Sequence, residues 1–282
     1  MTGDPAGPDR STSAYGFDPT KPNAARIYDY LLGGKENFTA DRAAAQQLSR
    51  ALPDAARLAR ANRDFMSAAV RYVAERGISQ YVDIGAGLPT SPNVHEIARS
   101  VVPRARVTYV DNDPVVVAHA RALLATDDLL TVVSGDAREY GPILSAIDLG
   151  RTIDLSEPVC VLFVSMLHFM GESEADALVA AFRERMVPGS YLVLSAGCAD
   201  ESDAPMGKDI QSAYGSDTVL SGRKRAEIEA YFGDLELVPP GIVPVTQWPA
   251  EAPDAPQPSR SAAPAPPARG KARMLAGIGR KR

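Results

Sequence analysis

The chain has 282 residues, 45% hydrophobic, 23% charged and 6% aromatic, with a formal net charge of −5. That is ample for one sizeable core and ordinary for a globular protein, which excludes a disordered chain, a collagen and a coiled coil. Two cysteines, Cys160 and Cys198, both in apolar stretches, exclude a disulfide framework and a cysteine-built zinc site, and His95, His119 and His168 lack the paired spacing of metal ligands.

Residues 1–20 are polar, with Gly and Pro, and read as a flexible arm. No basic start leads into an apolar stretch, so no secretory signal is expected. Pro22 opens an amphipathic helix over 23–32, stopped by Gly33-Gly34. Thr39 is placed to cap a second helix through Ala51. Pro53 suits the first turn of a longer helix with Leu58, Phe65, Tyr72 and Val73 on one side and Gly77 as its stop. No strand precedes these helices, so residues 21–78 are expected to form an N-terminal helical cap.

From Gln80 the pattern changes to short apolar runs at 81–84, 107–110, 129–133, 159–164 and 191–195. Runs without polar alternation suit parallel strands buried on both faces. Helix starts fall between them at Ser91-Pro92, at Asp113-Pro114, and at Ser173 with Asp176 three residues on. This alternation predicts an α/β fold over 79–282, a doubly wound and mostly parallel sheet. Ser221 is placed to cap a helix through Phe232, and a strand-like stretch follows over 235–245. Ten of the 23 prolines fall between Pro239 and Pro267, which marks 249–268 as an irregular proline-rich insertion. Residues 274–278 are expected to return as a final antiparallel strand.

The charge is uneven. From Ala250 onward seven basic residues stand against two acidic ones, which leaves −10 on the rest. An acidic body argues against a nucleic-acid partner, whose binding needs phosphate neutralisation. The basic end reads as a solvated charge cluster. Arginine outnumbers lysine 24 to 6, which we attribute to the codon bias of a GC-rich bacterial genome. The best apolar run, 159–170, is far short of the roughly 20 residues of a membrane helix. The expectation is a soluble cytoplasmic protein without a membrane partner or a metal.

Four segments carry chemistry. In Tyr81-Val82-Asp83-Ile84-Gly85-Ala86-Gly87 a strand runs into a Gly-x-Gly turn, where Gly85 and Gly87 let the backbone approach a ligand. Thr90 stands where the dinucleotide fingerprint has its third glycine. Asp83 repels a pyrophosphate but suits a ligand ammonium group, so the turn favours S-adenosylmethionine over NAD. Asp111, at the end of the second strand and 24 residues after Gly87, suits the two ribose hydroxyls. Asn112 is placed to face the adenine, and Asp113, followed by Pro114, reads as a helix N-cap. Asp136 suits the adenine amino group, with the Ala137 amide beside it as a donor; a capped turn is the alternative. In Phe163-Val164-Ser165-Met166-Leu167-His168-Phe169, Ser165 lies at the carboxyl edge of the fourth strand as a cofactor contact. His168 reads as a general base or substrate contact, or else as a packed, hydrogen-bonded histidine.

Two stretches carry a resemblance. One runs from Pro22 through Arg26-Ile27-Tyr28-Asp29-Tyr30-Leu31-Leu32-Gly33-Gly34-Lys35-Glu36-Asn37-Phe38. The other is Asp83-Ile84-Gly85-Ala86-Gly87-Leu88-Pro89-Thr90 with Asn93-Val94-His95-Glu96. Asn62-Arg63 and Leu167-His168-Phe169 fit as well. Through them the chain resembles a bacterial family of S-adenosylmethionine-dependent methyltransferases long catalogued as a domain of unknown function, over about residues 22–280. The resemblance implies a class I, Rossmann-like fold and S-adenosylmethionine as cofactor, with S-adenosylhomocysteine as product. It implies no particular acceptor.

The cap segment 22–38 then reads as a lid. Arg26 would neutralise the cofactor's methionyl carboxylate, Gly33-Gly34 would act as hinge, and Tyr30, Lys35, Asn37 and Phe38 would shape the acceptor pocket. The alternative is a surface helix with an Arg26–Asp29 pair worth about 0.2–0.5 kcal/mol. The functional expectation is a methyltransferase (class EC 2.1.1) acting on a small molecule. A non-catalytic sensor of the cofactor is the alternative, and an NAD-dependent oxidoreductase is disfavoured by Asp83 and Thr90.

Overall fold

The computed structural model describes residues 17–124, 127–199, 204–216, 218–248 and 273–282. Most of the expected arm and the whole expected insertion 249–268 lie outside the described residues. Three helices come first, α1 (Ala24–Leu32), α2 (Thr39–Ala51) and α3 (Ala55–Ala74). Then strand and helix alternate: β1 (Gln80–Ile84), α4 (Val94–Arg99), β2 (Arg106–Asp111), α5 (Pro114–Leu124), β3 (Leu130–Ser134), α6 (Tyr140–Leu149), β4 (Cys160–Val164), α7 (Glu172–Arg185) and β5 (Tyr191–Cys198). Two further helices, α8 (Ala204–Tyr214) and α9 (Arg225–Phe232), lead to β6 (Glu236–Leu237), β7 (Val243–Pro244) and β8 (Arg273–Arg280).

The sheet order is β3-β2-β1-β4-β5-β8-β6, with β7 also paired to β8. The first five of these strands run parallel and β8 runs antiparallel to β5, from Tyr191 opposite Arg280 to Cys198 opposite Arg273. This is the expected Rossmann-like sheet with an antiparallel return. The strand order reverses between β1 and β4, so the crevice for a ligand opens at the carboxyl ends of those strands.

Burial of both faces explains the unbroken apolar runs. Along β4, Val161 and Phe163 enter one apolar cluster with Leu178 and Phe182 of α7, while Cys160 and Leu162 enter another with Tyr81 and Val107. The second cluster also takes Phe65, Val70 and Val73 of α3. The C-terminal half of α3 is therefore a sheet-covering helix. The part of the cap that stands apart is α1, α2 and the start of α3, joined by Ile27, Leu48, Ala55 and Ala59, with Ala213 of α8 packed against them.

Several expected helix starts move, for one reason. In α2, α4, α7 and α9 the third helical residue is acidic and accepts from the N-cap backbone N–H: Asp41 from Phe38, Glu96 from Asn93, Glu174 from Gly171 and Glu227 from Lys224. A carboxylate there satisfies a donor left free by the helix and suits its positive end. Thr39 is therefore the first helical residue and not a cap. The Ser91, Ser173 and Ser221 signals lie two, two and three residues from the true N-caps Asn93, Gly171 and Lys224, and Pro53 sits in the turn before α3. Asp113 caps α5 as expected, accepting from Val115 and Val116. The strand expected over 235–245 breaks into β6 and β7 around Pro239-Pro240, which have no N–H to give a ladder. No strong start signal announced α6 or α8.

Candidate functional site

Gly85 and Gly87 adopt φ +71° and +68°, a region that side chains disfavour. The turn is tied down at Val110, whose carbonyl accepts from Gly85 and Ala86 at 2.8 and 3.1 Å. Asp111 completes the tie: Oδ2 accepts from Gly87 N and Oδ1 from Asp113 N, both at 2.9 Å. The Asn112 N–H bonds this carboxylate as well, and the lone-pair capacity left over is what a ligand could use. Burial holds this carboxyl above its ordinary value.

Asp83, at 8% exposure, makes no side-chain hydrogen bond or ion pair among the described residues. Burial raises its carboxyl to about 7; the Asp111 charge adds to this and Arg63 opposes it. A buried carboxylate without a partner is costly, and this one borders a cavity of about 1080 Å³. Asp83, Gly85, Gly87, Asp111, Asn112, Asp136, Ala137, Ser165 and His168 all line that cavity. Asp136 is clasped by Arg138, which holds its carboxyl low, and its backbone turn opens a short 3₁₀ segment at Ala137. Ser165 stands at φ +59° at the end of β4, its N–H held by the carbonyl and hydroxyl oxygens of Ser195 at 3.0 Å each. Strain of this kind in a non-glycine residue gathers at functional sites.

The cap residues fall elsewhere. Arg26 does not line the cavity. It is 2% exposed, its Nε 3.0 Å from Asp41 and its Nη1 3.5 Å from Asp113, with Nη2 donating to the Lys21 carbonyl. The Phe38 and Phe17 rings sit over its guanidinium at 5.3 and 5.6 Å. A side chain so enclosed cannot reach a ligand. The Arg26–Asp29 pair is absent as well: Asp29 accepts from Glu36 N and Asn37 Nδ2. Gly33-Gly34 is accounted for by the end of α1. Gly33 is the left-handed C-cap of α1, and a Cβ on Gly34 would overlap the Asp29 carboxylate. Tyr30 packs among the cap helices, Lys35 faces solvent, Asn37 is spent on Asp29 and the Gly34 carbonyl, and Phe38 packs on Arg26. None of the four lines the cavity.

Other residues take those places. Arg63 of α3 borders the cavity near Asp83, its Nη2 bound to the carbonyls of Thr90 and Pro92 at 2.6 and 2.8 Å. Asn62, 1% exposed, takes the Ser195 hydroxyl at 2.6 Å and donates to Tyr28 Oη at 2.9 Å. Tyr28 Oη in turn donates to the Ala59 carbonyl. This chain links the cap to the strained Ser165. Tyr28, Leu52 and Leu58 from the cap, Phe169, and Ile210 and Tyr214 from α8 add apolar and aromatic area to the cavity lining. The only sequence signal for Arg63 and Asn62 was their place in the family resemblance.

His168 is buried, and burial together with the Arg223 charge lowers it to about 4. Its Nδ1 accepts from Gly197 N at 3.3 Å. The bond from Gly197 occupies the one lone pair of the neutral ring, which argues against the general-base reading. Among the described residues no helix is long and apolar enough to cross a membrane and no cluster could hold a metal.

The model of the S-adenosyl methyltransferase family matches residues 10–282. A provisionally assigned methyltransferase of Thermobifida fusca YX is 40% identical over 93% of this chain and 96% of its own, with a TM-score of 0.82. A DUF574 family protein of Streptomyces avermitilis MA-4680 is 38% identical over 93% and 98%, with a TM-score of 0.80. The magnesium protoporphyrin IX methyltransferase of Synechocystis PCC 6803, with bound SAH, shares the fold at 14% identity over 91% and 93%, with a TM-score of 0.50. No curated protein matches the chain.

Proposed function

The chain belongs to the S-adenosyl methyltransferase family, whose cofactor is S-adenosylmethionine, and from that premise we propose that it is an active enzyme that methylates a small molecule. The observation that carries the reading is Asp83, an enclosed carboxylate with no hydrogen-bond or ion-pair partner among the described residues, beside two left-handed glycines at the reversal of strand order. That donor set fits an ammonium group at the amino-acid end of the cofactor. When bound, the cofactor supplies a sulfonium methyl that passes to a nucleophile and leaves a neutral thioether.

The protein's work is then to bind, orient and exclude water. Asp83 holds the ammonium. Arg63, with the rest of its guanidinium not committed to Thr90 and Pro92, takes over the carboxylate role that the sequence suggested for Arg26. Asp111 offers its remaining lone pairs to the ribose hydroxyls. Asp136, Asn112 and the Ala137 N–H surround the adenine, and Ser165 closes the pocket at β4. The apolar lining from α1, α3 and α8 receives the acceptor, which supports a small molecule over a polymer. Two buried cysteines outside any disulfide, Cys160 and Cys198, suit a reducing compartment, which favours the cytoplasm.

Isothermal titration with S-adenosylhomocysteine and with NAD tests the cofactor site: saturable binding of the first and none of the second is expected. Transfer of labelled methyl from S-adenosylmethionine across a small-molecule panel tests the enzyme. Tight cofactor binding with no turnover on any acceptor class would instead favour a sensor.

A further inference from the structure

We propose that His168 is a fixed, neutral hydrogen-bond donor to the methyl acceptor and that Arg223 is the positioning residue that holds it; this rests on the methyltransferase reading of the cavity. An imidazole nitrogen that accepts an N–H carries the lone pair, so the Gly197 bond puts the ring proton on Nε2. Nε2 makes no hydrogen bond to a described residue, while His168 lines the cavity. The ring is held against Phe169, centroids 4.4 Å apart.

The backbone around it is clamped from one side. Arg223 is fully buried. Its Nη2 donates to the carbonyls of Leu167, Met170 and Gly171 at 3.0, 2.9 and 3.1 Å, its Nη1 to Ser221 O and its Nε to Tyr231 Oη. Ser221 N donates to the His168 carbonyl at 2.8 Å. The carbonyls on both sides of His168 are thus pinned by one guanidinium, whose hydrogen-bond partners among the described residues are all neutral. A second cation on the imidazole would sit next to that buried charge in a weakly screening interior, so the ring stays neutral. A donor fixed in this way is preorganised for a lone pair on its ligand. Phe169 and Tyr214, edge to face at 5.2 Å, offer apolar area beside it. The acceptor class that fits is an apolar, ring-bearing molecule with a carbonyl, ether or phenolic oxygen within reach of Nε2.

The test uses the full-length protein, labelled with ¹⁵N-histidine and saturated with S-adenosylhomocysteine. Long-range ¹H–¹⁵N spectra are expected to show His168 protonated at Nε2 only, unchanged from pH 5.5 to 8. A proton on Nδ1, or titration near 6.5, overturns the proposal. Two probes of one shape, 1-indanone and indane, then differ by one carbonyl. A preference for indanone of about two- to tenfold is expected, the range of one neutral hydrogen bond. It should persist in His168→Gln, which keeps an N–H near that place, and vanish in His168→Ala. Equal affinities, or no binding of either probe, overturn the donor role. Arg223→Lys should reduce the preference and leave S-adenosylhomocysteine affinity in place; an unaltered preference in the folded variant removes Arg223 from the positioning role. Failure of wild-type protein to bind S-adenosylhomocysteine would fell the methyltransferase reading, whereas normal binding with the wrong tautomer fells only this inference.

Discussion

Asp83→Asn should make the ligand-free protein more stable at pH 8 while abolishing tight cofactor binding. In the folded chain the Asp83 carboxyl stands near 7, against an ordinary value of 3.8. A raised carboxyl favours the folded state below pH 4, and that contribution is lost as pH rises through about 7. At about 1.4 kcal/mol per pH unit the loss is about 4 kcal/mol. The amide cannot ionise, so the variant escapes it; Asp111, raised by burial in the same direction, leaves a smaller slope. Urea unfolding of ligand-free wild type and variant from pH 4 to 8 measures both curves. The ligand acts in the opposite sense. An ammonium partner lowers the Asp83 carboxyl, so binding below pH 7 releases a proton, and the wild-type Kd for S-adenosylhomocysteine should fall up to about tenfold per pH unit toward pH 7. Calorimetry in buffers of different ionisation enthalpy counts that proton. A variant that is less stable than wild type at pH 8, or that keeps wild-type affinity, would refute the assignment of Asp83 as an unpaired carboxylate awaiting a cation.

Arg26→Ala should cost about 3–5 kcal/mol of stability by leaving Asp41 and Asp113 without their buried cation; a loss below 1 kcal/mol in urea unfolding would contradict the enclosed pair. Arg63→Ala should weaken S-adenosylhomocysteine by about 1.5–3 kcal/mol, the range for hydrogen bonds to a charged group, and spare methylthioadenosine, which lacks the amino-acid end. Equal losses for both ligands in calorimetry would place Arg63 outside the carboxylate site. Asn62→Ala should cost about 1–3 kcal/mol by leaving the buried Ser195 hydroxyl proton without its acceptor, and unchanged unfolding would show that water replaces the amide without penalty.

The parts legible in the sequence are those whose chemistry is local. The Asp83–Gly87 turn, the strand-end Asp111 and the cap at Asp113 each carry a signal in their immediate neighbours in the chain, and all stand where expected. The strands were legible because burial on both faces leaves an unbroken apolar run. What escaped depends on partners distant in sequence. Arg26 looked like a ligand contact because nothing in the segment 22–38 reveals that Asp41 and Asp113 claim it. Arg63 lies on a helix whose apolar side alone was read, and Asn62 is explained by Tyr28 and Ser195, 34 and 133 positions away. The shifted helix starts have a local cause, since an acid at the third helical position outweighed nearby serines.

The two acids after β2, Asp111 at its end and Asp113 at the cap of α5, bind the helical cap and the glycine turn into one unit. Asp113 turns inward, where Oδ1 accepts the first amides of α5 and Oδ2 faces Arg26 of the cap. Asp111, two residues earlier, turns to the cavity and holds the N–H of Gly87. The Asp113 N–H itself donates to Asp111 Oδ1, so a shift of the cap that pulls on Asp113 also loosens the carboxylate proposed for the ribose. From the other side the cap reaches the sheet through Asn62 and Ser195, which fix Ser165 at the opposite wall of the same cavity. The helices thus grip both edges of the pocket with buried polar contacts, and buried polar contacts lose strength steeply when geometry slips. A lesion in the cap far from any ligand should therefore appear as weaker cofactor binding, because the arginine that never touches the cavity shares a hydrogen-bonded chain with the aspartate that does.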